Sequence, residues 1–248
     1  MATISLLSIG NSFSQDAQRY LYDIARSAGD TIECVNLYIG GCSLERHYRN
    51  MKADAKAYDL QICGHVNTGF FSGIKEALLS RAWDYVTIQQ ASHFSYNFET
   101  YEPYLTALAS YVRELCPKAK LLIHETWAYE SGSPRIHEHG FETYEEMFEK
   151  VKDSYEKANK IIRADGIIPC GEALLEMQKG GKTVHRDTFH ASYGLGRYLL
   201  GLTFYAYLTG KYVKDIPFND FDEAISPEDI LKAKEIVDRI VNKKDWRK

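Results

Sequence analysis

At 248 residues, with 45% hydrophobic and 26% charged residues, the chain can bury one sizeable core, and its composition excludes a disordered polymer. A formal net charge of -4 with scattered lysines and arginines excludes the basic footprint of a nucleic-acid binder. The exception, Lys243-Lys244-Asp245-Trp246-Arg247-Lys248, reads as a solvated helix terminus.

Taken in chain order, strand and helix signals alternate. Residues 3–9, with Ile4, Leu6, Leu7 and Ile9 interrupted by Ser5 and Ser8, are expected as a buried strand, followed by a helix over 15–28 with Ala17, Leu21, Ile24 and Ala25 on one face. Residues 31–38 alternate as a strand, Ser43 to about Tyr58 reads as helix, and Asp59–Cys63 as a short edge strand. A helix over 72–81 precedes the β-branched and aromatic strand Trp83–Gln89. An amphipathic helix over 101–115 stops near Pro117, and the strand Lys120–Glu125 follows. Helix 143–164, strand Gly166–Pro169 and helix 171–178 lead to a strongly apolar helix, Tyr193–Leu208, with Gly210 as its C-cap. Ser226-Pro227 opens a last helix, because serine suits the N-cap and proline the first helical position. Strands separated by helices of this length predict a mostly parallel sheet covered on both faces: an α/β protein built as a three-layer α/β/α sandwich. No repeat, low-complexity tract or linker interrupts the pattern, so residues 1–248 are expected as a single domain.

The chemistry-bearing residues sit where such a sheet presents ligands, at the carboxyl ends of its strands. The first strand breaks into Gly10-Asn11-Ser12-Phe13-Ser14, delivering a serine hydroxyl to the sheet edge; Ser14 reads as a cap inside the coming helix. Far downstream, Asp187-Thr188-Phe189-His190 places a carboxylate three residues before a histidine, where one turn can join them. Ser12, His190 and Asp187 together supply the nucleophile, base and orienting acid of acyl transfer. Gly40-Gly41 follows the second strand, Gln89-Gln90 ends a central strand, and Trp127 follows the next. Three other features read as ordinary surface or loop chemistry. His137-Glu138-His139 follows the loop Ser131–Pro134, where an i, i+2 histidine pair lacks the strand geometry a metal requires. His185 reads as a loop histidine, and Asp16 with Glu45 as acids whose separation nothing in the sequence fixes. The five cysteines, Cys34, Cys42, Cys63, Cys116 and Cys170, have no metal-ligand spacing and suit free thiols in a reducing compartment. The amino terminus lacks the basic region of a secretion signal and no stretch is long enough to span a bilayer, so the expected location is cytoplasmic.

The order and spacing of these residues resemble the SGNH (GDSL-like) hydrolase superfamily, whose first block carries Gly-Asp/Asn-Ser and whose last is Asp-x-x-His. The likeness runs from Gly10 to about Gly210 and is nearest to a bacterial branch beginning Gly-Asn-Ser-Phe. The resemblance implies a flavodoxin-like SGNH hydrolase fold, with Ser12 as nucleophile, His190 as general base and Asp187 as its orienter. It implies oxyanion donors from the Ser12 and Gly41 backbones and from a third-block side chain. There the sequence departs: the family's Gly-x-Asn-Asp is replaced by Gln89-Gln90-Ala91-Ser92-His93-Phe94, leaving Gln90 or His93 for the asparagine's place. Asn11, Gln89, His93 and Trp127 are the remaining substrate-binding candidates, and Ser131–Tyr144 reads as a substrate-covering insertion. The implied enzyme needs no metal or cofactor. It hydrolyses a small-molecule or glycan ester, with acetyl on a carbohydrate the leading substrate. A lipolytic esterase or thioesterase, and an inactive ligand-binding member, are the alternatives; the oligomeric state stays open.

Overall fold

Strand β1 (Thr3–Gly10) is buried along nearly its whole length, which explains why Ile4, Leu6, Leu7 and Ile9 put apolar side chains on both of its faces and not on one. It is the middle strand of a seven-stranded sheet in a computed structural model that describes residues 3–66 and 68–241. The basic cluster Lys243–Lys248 lies outside the described residues. The other strands are β2 (Thr31–Tyr38), β3 (Tyr58–Ile62), β4 (Phe71–Ser72), β5 (Tyr85–Ile88), β6 (Lys120–His124) and β7 (Gly166–Ile168). Their order is β4-β3-β2-β1-β5-β6-β7; β2, β1, β5, β6 and β7 run parallel, β3 pairs antiparallel with β2, and β4 pairs antiparallel with β3.

The chain winds outward from β1 through β2 to β4, then crosses to the other side of β1 to lay down β5. The order therefore reverses between β1 and β5, which makes this the sheet's switch point, the place where open α/β sheets take their ligands at the carboxyl ends of the strands. Register brings the relevant ends level: Gly10 pairs with Tyr38, Ile9 with Ile88, and Ile88 with Ile123.

Helices α1 (Ser12–Gln18), α2 (Leu21–Ser27), α8 (Cys170–Lys179), α9 (Leu195–Thr209) and α10 (Pro227–Val241) pack together on one face. On the other lie α3 (Leu44–Lys52), α4 (Ile74–Leu79), α5 (Tyr104–Leu115) and α7 (Tyr144–Ile162); the short α6 (Pro134–Glu138) belongs to the segment before α7. Helix α9 is apolar on nearly every side because α1, α2, α8 and α10 all pack against it, and it ends at Gly210 in the left-handed region (φ 70°). Among the described residues, no helix is long and apolar enough to cross a membrane. The five cysteines are free thiols, all buried except the partly exposed Cys63.

The α/β/α sandwich expected from the sequence is present; three elements differ. The helix expected over 15–28 is two helices, starting at Ser12 and broken at Arg19–Tyr20. Tyr20 drops fully into the core there, its hydroxyl donating to Tyr193 O (2.6 Å) and accepting from the Asp222 N–H (2.7 Å). Helix α3 stops at Lys52, short of Tyr58, because Asp54 turns left-handed (φ 48°) and redirects the chain into β3. That strand is not the sheet edge, since β4 pairs outside it.

Candidate active site

Gly10 ends β1 beneath the first turn of α1, and the approach is close. A Cβ at Gly10 would stand 2.0 Å from Ser14 Oγ, so the position excludes a side chain. Asn11 caps α1: its Oδ1 accepts from Phe13 N–H (2.9 Å), while Asn11 N–H donates to Ser14 Oγ (3.0 Å). Ser14 is fully buried and donates to Asn36 Oδ1 (2.7 Å). That leaves Ser12, at the first helical position, as the serine with a reachable hydroxyl; its N–H is one of the helix's four without an intrahelical acceptor.

Ser12 Oγ lies 2.8 Å from His190 Nε2, across 178 residues of sequence. His190 Nδ1 lies 2.8 Å from Asp187 Oδ2, and the His190 backbone N–H donates to Asp187 Oδ1 (2.9 Å). Partial burial works against the Asp187 carboxylate. The hydrogen bonds from the His190 side chain and backbone, with the neighbouring His190 and Arg186 charges, outweigh it and hold the pKa below the ordinary value. An ionised Asp187 requires the proton on Nδ1, which leaves Nε2 free to accept from the Ser12 hydroxyl.

The turn carrying His190 is strained and heavily tied. Thr188 sits in the left-handed region (φ 71°), unfavourable for a β-branched residue. Its carbonyl accepts from Glu130 N–H (2.7 Å), and the next carbonyl, Phe189 O, accepts from the Trp127 indole N–H (2.7 Å). Trp127 is fully buried, stacked on Phe13 with ring centroids 4.0 Å apart.

A fully buried carboxylate, Asp16, locks this turn to the serine helix. It accepts from Arg186 Nη1 (3.0 and 2.9 Å), Arg197 Nε (2.8 Å) and the Ala191 N–H (3.2 Å). Arg186 Nη1 also donates to Ala191 O.

After β2, residues Ile39–Cys42 form a turn closed by Cys42 N–H to Ile39 O (3.2 Å). Gly41 is third in that turn, with φ 60° and open space where a Cβ would stand, so its requirement is conformational. The turn's own bond leaves the Gly41 N–H out. Asn11 Nδ2 donates to Cys42 O (3.1 Å), tying this turn to the start of α1.

Residues 5–235 match the family described as a domain of unknown function, DUF4886. The chain belongs to the DUF4886 family. A crystal structure of a DUF4886 protein from Bacteroides uniformis is 32% identical, covers 98% of this chain and 96% of that one, and superposes with a TM-score of 0.89. A protein provisionally assigned as an SGNH hydrolase, from Slackia heliotrinireducens, is 19% identical over 82% of this chain and 97% of that one, with a TM-score of 0.58. Another, provisionally assigned as a GDSL-like lipase, from Parabacteroides merdae, is 15% identical over 84% and 96%, with a TM-score of 0.55. The two more distant likenesses carry the fold alone: this DUF4886 chain has the α/β/α fold of SGNH hydrolases. No curated protein matches it.

Four of the remaining expectations, Gln90, Asn11, Gln89 and Trp127, are corrected by burial and partners. Gln90 does not offer a free amide: Oε1 accepts from Leu44 N–H (2.9 Å) and Ala91 N–H (2.9 Å), and Nε2 donates to Thr100 O and Oγ1 (both 3.1 Å). It ties the start of α3 to the segment before α5. Asn11, Gln89 and Trp127 are 2%, 3% and 0% exposed, so they position other groups and present no surface for a substrate to touch. His93 stays half-buried beside Phe94 (ring centroids 4.2 Å apart); burial, then the nearby His139 charge, lowers its pKa.

The insertion flanks the His190 turn: Arg135 stands 4.1 Å over the Phe189 ring, and His139 Nδ1 lies 3.1 Å from Tyr96 OH. His137 bonds instead to Phe141 O (3.2 Å), so the two histidines serve separate partners. His185 is buried between Gln178 (3.3 Å) and Ala128 O (3.1 Å), away from solvent. Asp16 is the functional-region residue that sequence reasoning misread. Its signal was an acid one turn after Ser12 and an arginine just before Asp187.

Proposed function

We propose that this DUF4886 chain is a serine ester hydrolase that removes a small acyl group, with O-acetyl on a carbohydrate as the leading substrate. The observation that carries the reading is the continuous line Asp187–His190–Ser12, each step 2.8 Å, across the sheet's switch point. His190 takes the Ser12 proton as Oγ attacks the ester carbonyl, and the imidazolium is held by Asp187. The oxyanion is assigned to the Ser12 and Gly41 N–H groups; a single such donor contributes on the order of 3 kcal/mol. His190 then protonates the leaving alkoxide, and water repeats the cycle on the acyl-enzyme.

Two features support a small acyl group on a polar, ring-bearing alcohol. The partly exposed Phe189 ring lies 3.8 Å from the His190 ring with the Arg135 guanidinium 4.1 Å over it, which sets an aromatic ring and hydrogen-bond donors for a polar alcohol beside the proposed base. The apolar cavity of about 390 Å³ framed by Val35, Leu60, Phe70, Phe71 and Trp83 includes none of Ser12, Gly41, Asp187 or His190 in its lining. A fluorophosphonate probe is expected to label wild type on Ser12, and p-nitrophenyl acetate is expected to be cleaved faster than the decanoate. Activity that rises with chain length favours the lipolytic alternative, and an unlabelled wild type favours the ligand-binding one.

A further inference from the structure

At the carboxyl edge of the sheet, four adjacent strand ends are joined by a line of buried side chains. His124 closes β6, Gln89 follows β5, Asn11 follows β1 and Cys42 lies in the turn after β2. His124 Nδ1 is 2.7 Å from Gln89 Oε1, Gln89 Nε2 is 2.9 Å from Asn11 Oδ1, and Asn11 Nδ2 is 3.1 Å from Cys42 O.

The polarity of this line follows from backbone groups at one end. Asn11 must turn Oδ1 toward the Phe13 N–H and Nδ2 toward the Cys42 carbonyl, since the reverse sets donor against donor and acceptor against acceptor. Oδ1 then calls for a donor from Gln89, which turns Gln89 Oε1 toward His124 and puts the imidazole proton on Nδ1. The far nitrogen, His124 Nε2, is buried with no partner, beside the rings of Phe204 and Trp127. A proton there would be an unpaired donor in apolar surroundings, so the other tautomer is penalised. Burial also lowers the His124 pKa to about 3, keeping the ring neutral.

Asn11 brackets the proposed nucleophile. Its acceptor fixes the N–H of Phe13, immediately after Ser12, and its donor fixes the carbonyl of Cys42, immediately after Gly41. Aspartate in its place could cap the helix equally well, but would set a carboxylate oxygen against that carbonyl.

Resting on the ester-hydrolase reading, we infer that His124 and Gln89 are positioning residues that hold the Asn11 amide in one orientation and thereby set the Gly41 turn against Ser12. They act on the acylation transition state, where oxyanion donors must already be aimed, and not on substrate affinity.

The test compares wild type, Gln89→Met, His124→Phe and His124→Asn on p-nitrophenyl acetate, with active sites counted by fluorophosphonate titration and folding checked by thermal melt. Gln89→Met and His124→Phe are expected to lower kcat per titrated site 10- to 100-fold with KM within twofold of wild type. His124→Asn, whose amide N–H stands where Nδ1–H stood, is expected to recover to within about fivefold. A kcat per titrated site within threefold of wild type in Gln89→Met overturns the inference, as does a raised KM at unchanged kcat. Rates in His124→Asn no better than in His124→Phe overturn the assigned polarity. If His124→Phe fails to fold, Gln89→Met decides. A wild type that neither labels nor hydrolyses the ester removes the hydrolase reading itself, an outcome distinct from slow variants of an active wild type.

Discussion

The Asp16 carboxylate meets the Arg186 guanidinium at 2.9 Å in a site where Asp16 is wholly buried. Asp16 lies one helical turn beyond Ser12, and Arg186 immediately precedes Asp187. One ion pair therefore couples the helix that carries the serine to the turn that carries its base and acid. Arg197, also on Asp16 at 2.8 Å, continues the network to Asp222 and Arg19. Removing the carboxylate leaves the largely buried Arg186 without an acidic partner and Arg197 with Asp222 alone, and breaking a buried pair costs about 3–5 kcal/mol. Asp16→Asn is expected to lose stability of that order in urea unfolding. Fluorophosphonate labelling at temperatures where the variant stays folded should slow as well.

Ser12→Ala is expected to abolish fluorophosphonate labelling, while Ser14→Ala, altering a buried cap, should label normally when folded. Asp187→Asn removes the acceptor that dictates the His190 tautomer, and kcat is expected to fall roughly 10⁴-fold with little change in KM. Steady-state kinetics on p-nitrophenyl acetate checks both.

Gly41→Ala has room for its methyl group but not the backbone freedom, since φ is 60°. The left-handed conformation costs about 1–2 kcal/mol for a residue with a Cβ. A stability loss of that size is expected together with a fall in kcat, as the turn relaxes away from Ser12. Gln90→Leu should separate the two effects. It leaves the buried Leu44 N–H without its acceptor, so stability is expected to fall by about 1–3 kcal/mol while kcat per titrated site stays near wild type.

Stability should depend on pH from both sides. Burial lowers His47 and His124 to about 3 and His185 to about 4, against an ordinary 6.5. Each is neutral when folded, and the unfolded chain takes up the proton first, so stability falls as pH drops below 6.5. Burial raises Glu125 to about 8, against an ordinary 4.5. Its folded pKa lies above its unfolded one, so its contribution is complete below 4.5 and is lost as pH rises to about 8. The slope is on the order of 1 kcal/mol per pH unit. Between 4.5 and 6.5 the three histidines outweigh the single glutamate, which places the optimum near pH 6.5. Glu125→Gln is expected to flatten the decline above it, measured by urea midpoints across the range.

Much of this architecture was legible from residue pattern alone. Apolar residues on both faces of β1 (Ile4 and Leu6, Leu7 and Ile9) signalled a strand covered on both sides, and Gly10-Asn11-Ser12 signalled a strand end opening a helix. Asp187 and His190, three apart, could meet by local geometry. Helix ends were less legible where long-range contacts set them, as at Tyr20, whose partners lie more than 170 residues away.

The two glutamines mark the boundary most clearly. Neighbouring residues at a strand end face opposite layers, so one of Gln89 and Gln90 had to point toward the serine helix and the other toward α3. Sequence established that alternation and not which residue took which side. The choice depends on the pleat of β5 against β1 and β6, a tertiary property. Asp16 is similar: its identity and helical spacing from Ser12 were readable, but its buried pairing with Arg186 and Arg197 exists only once α9 packs on α1. The sequence by itself determined the strand–helix alternation and the local Asp187–His190 pairing, because both depend on near neighbours. Closing the gap from His190 to Ser12, and aiming every buried amide around it, required the folded sheet to bring distant strand ends level.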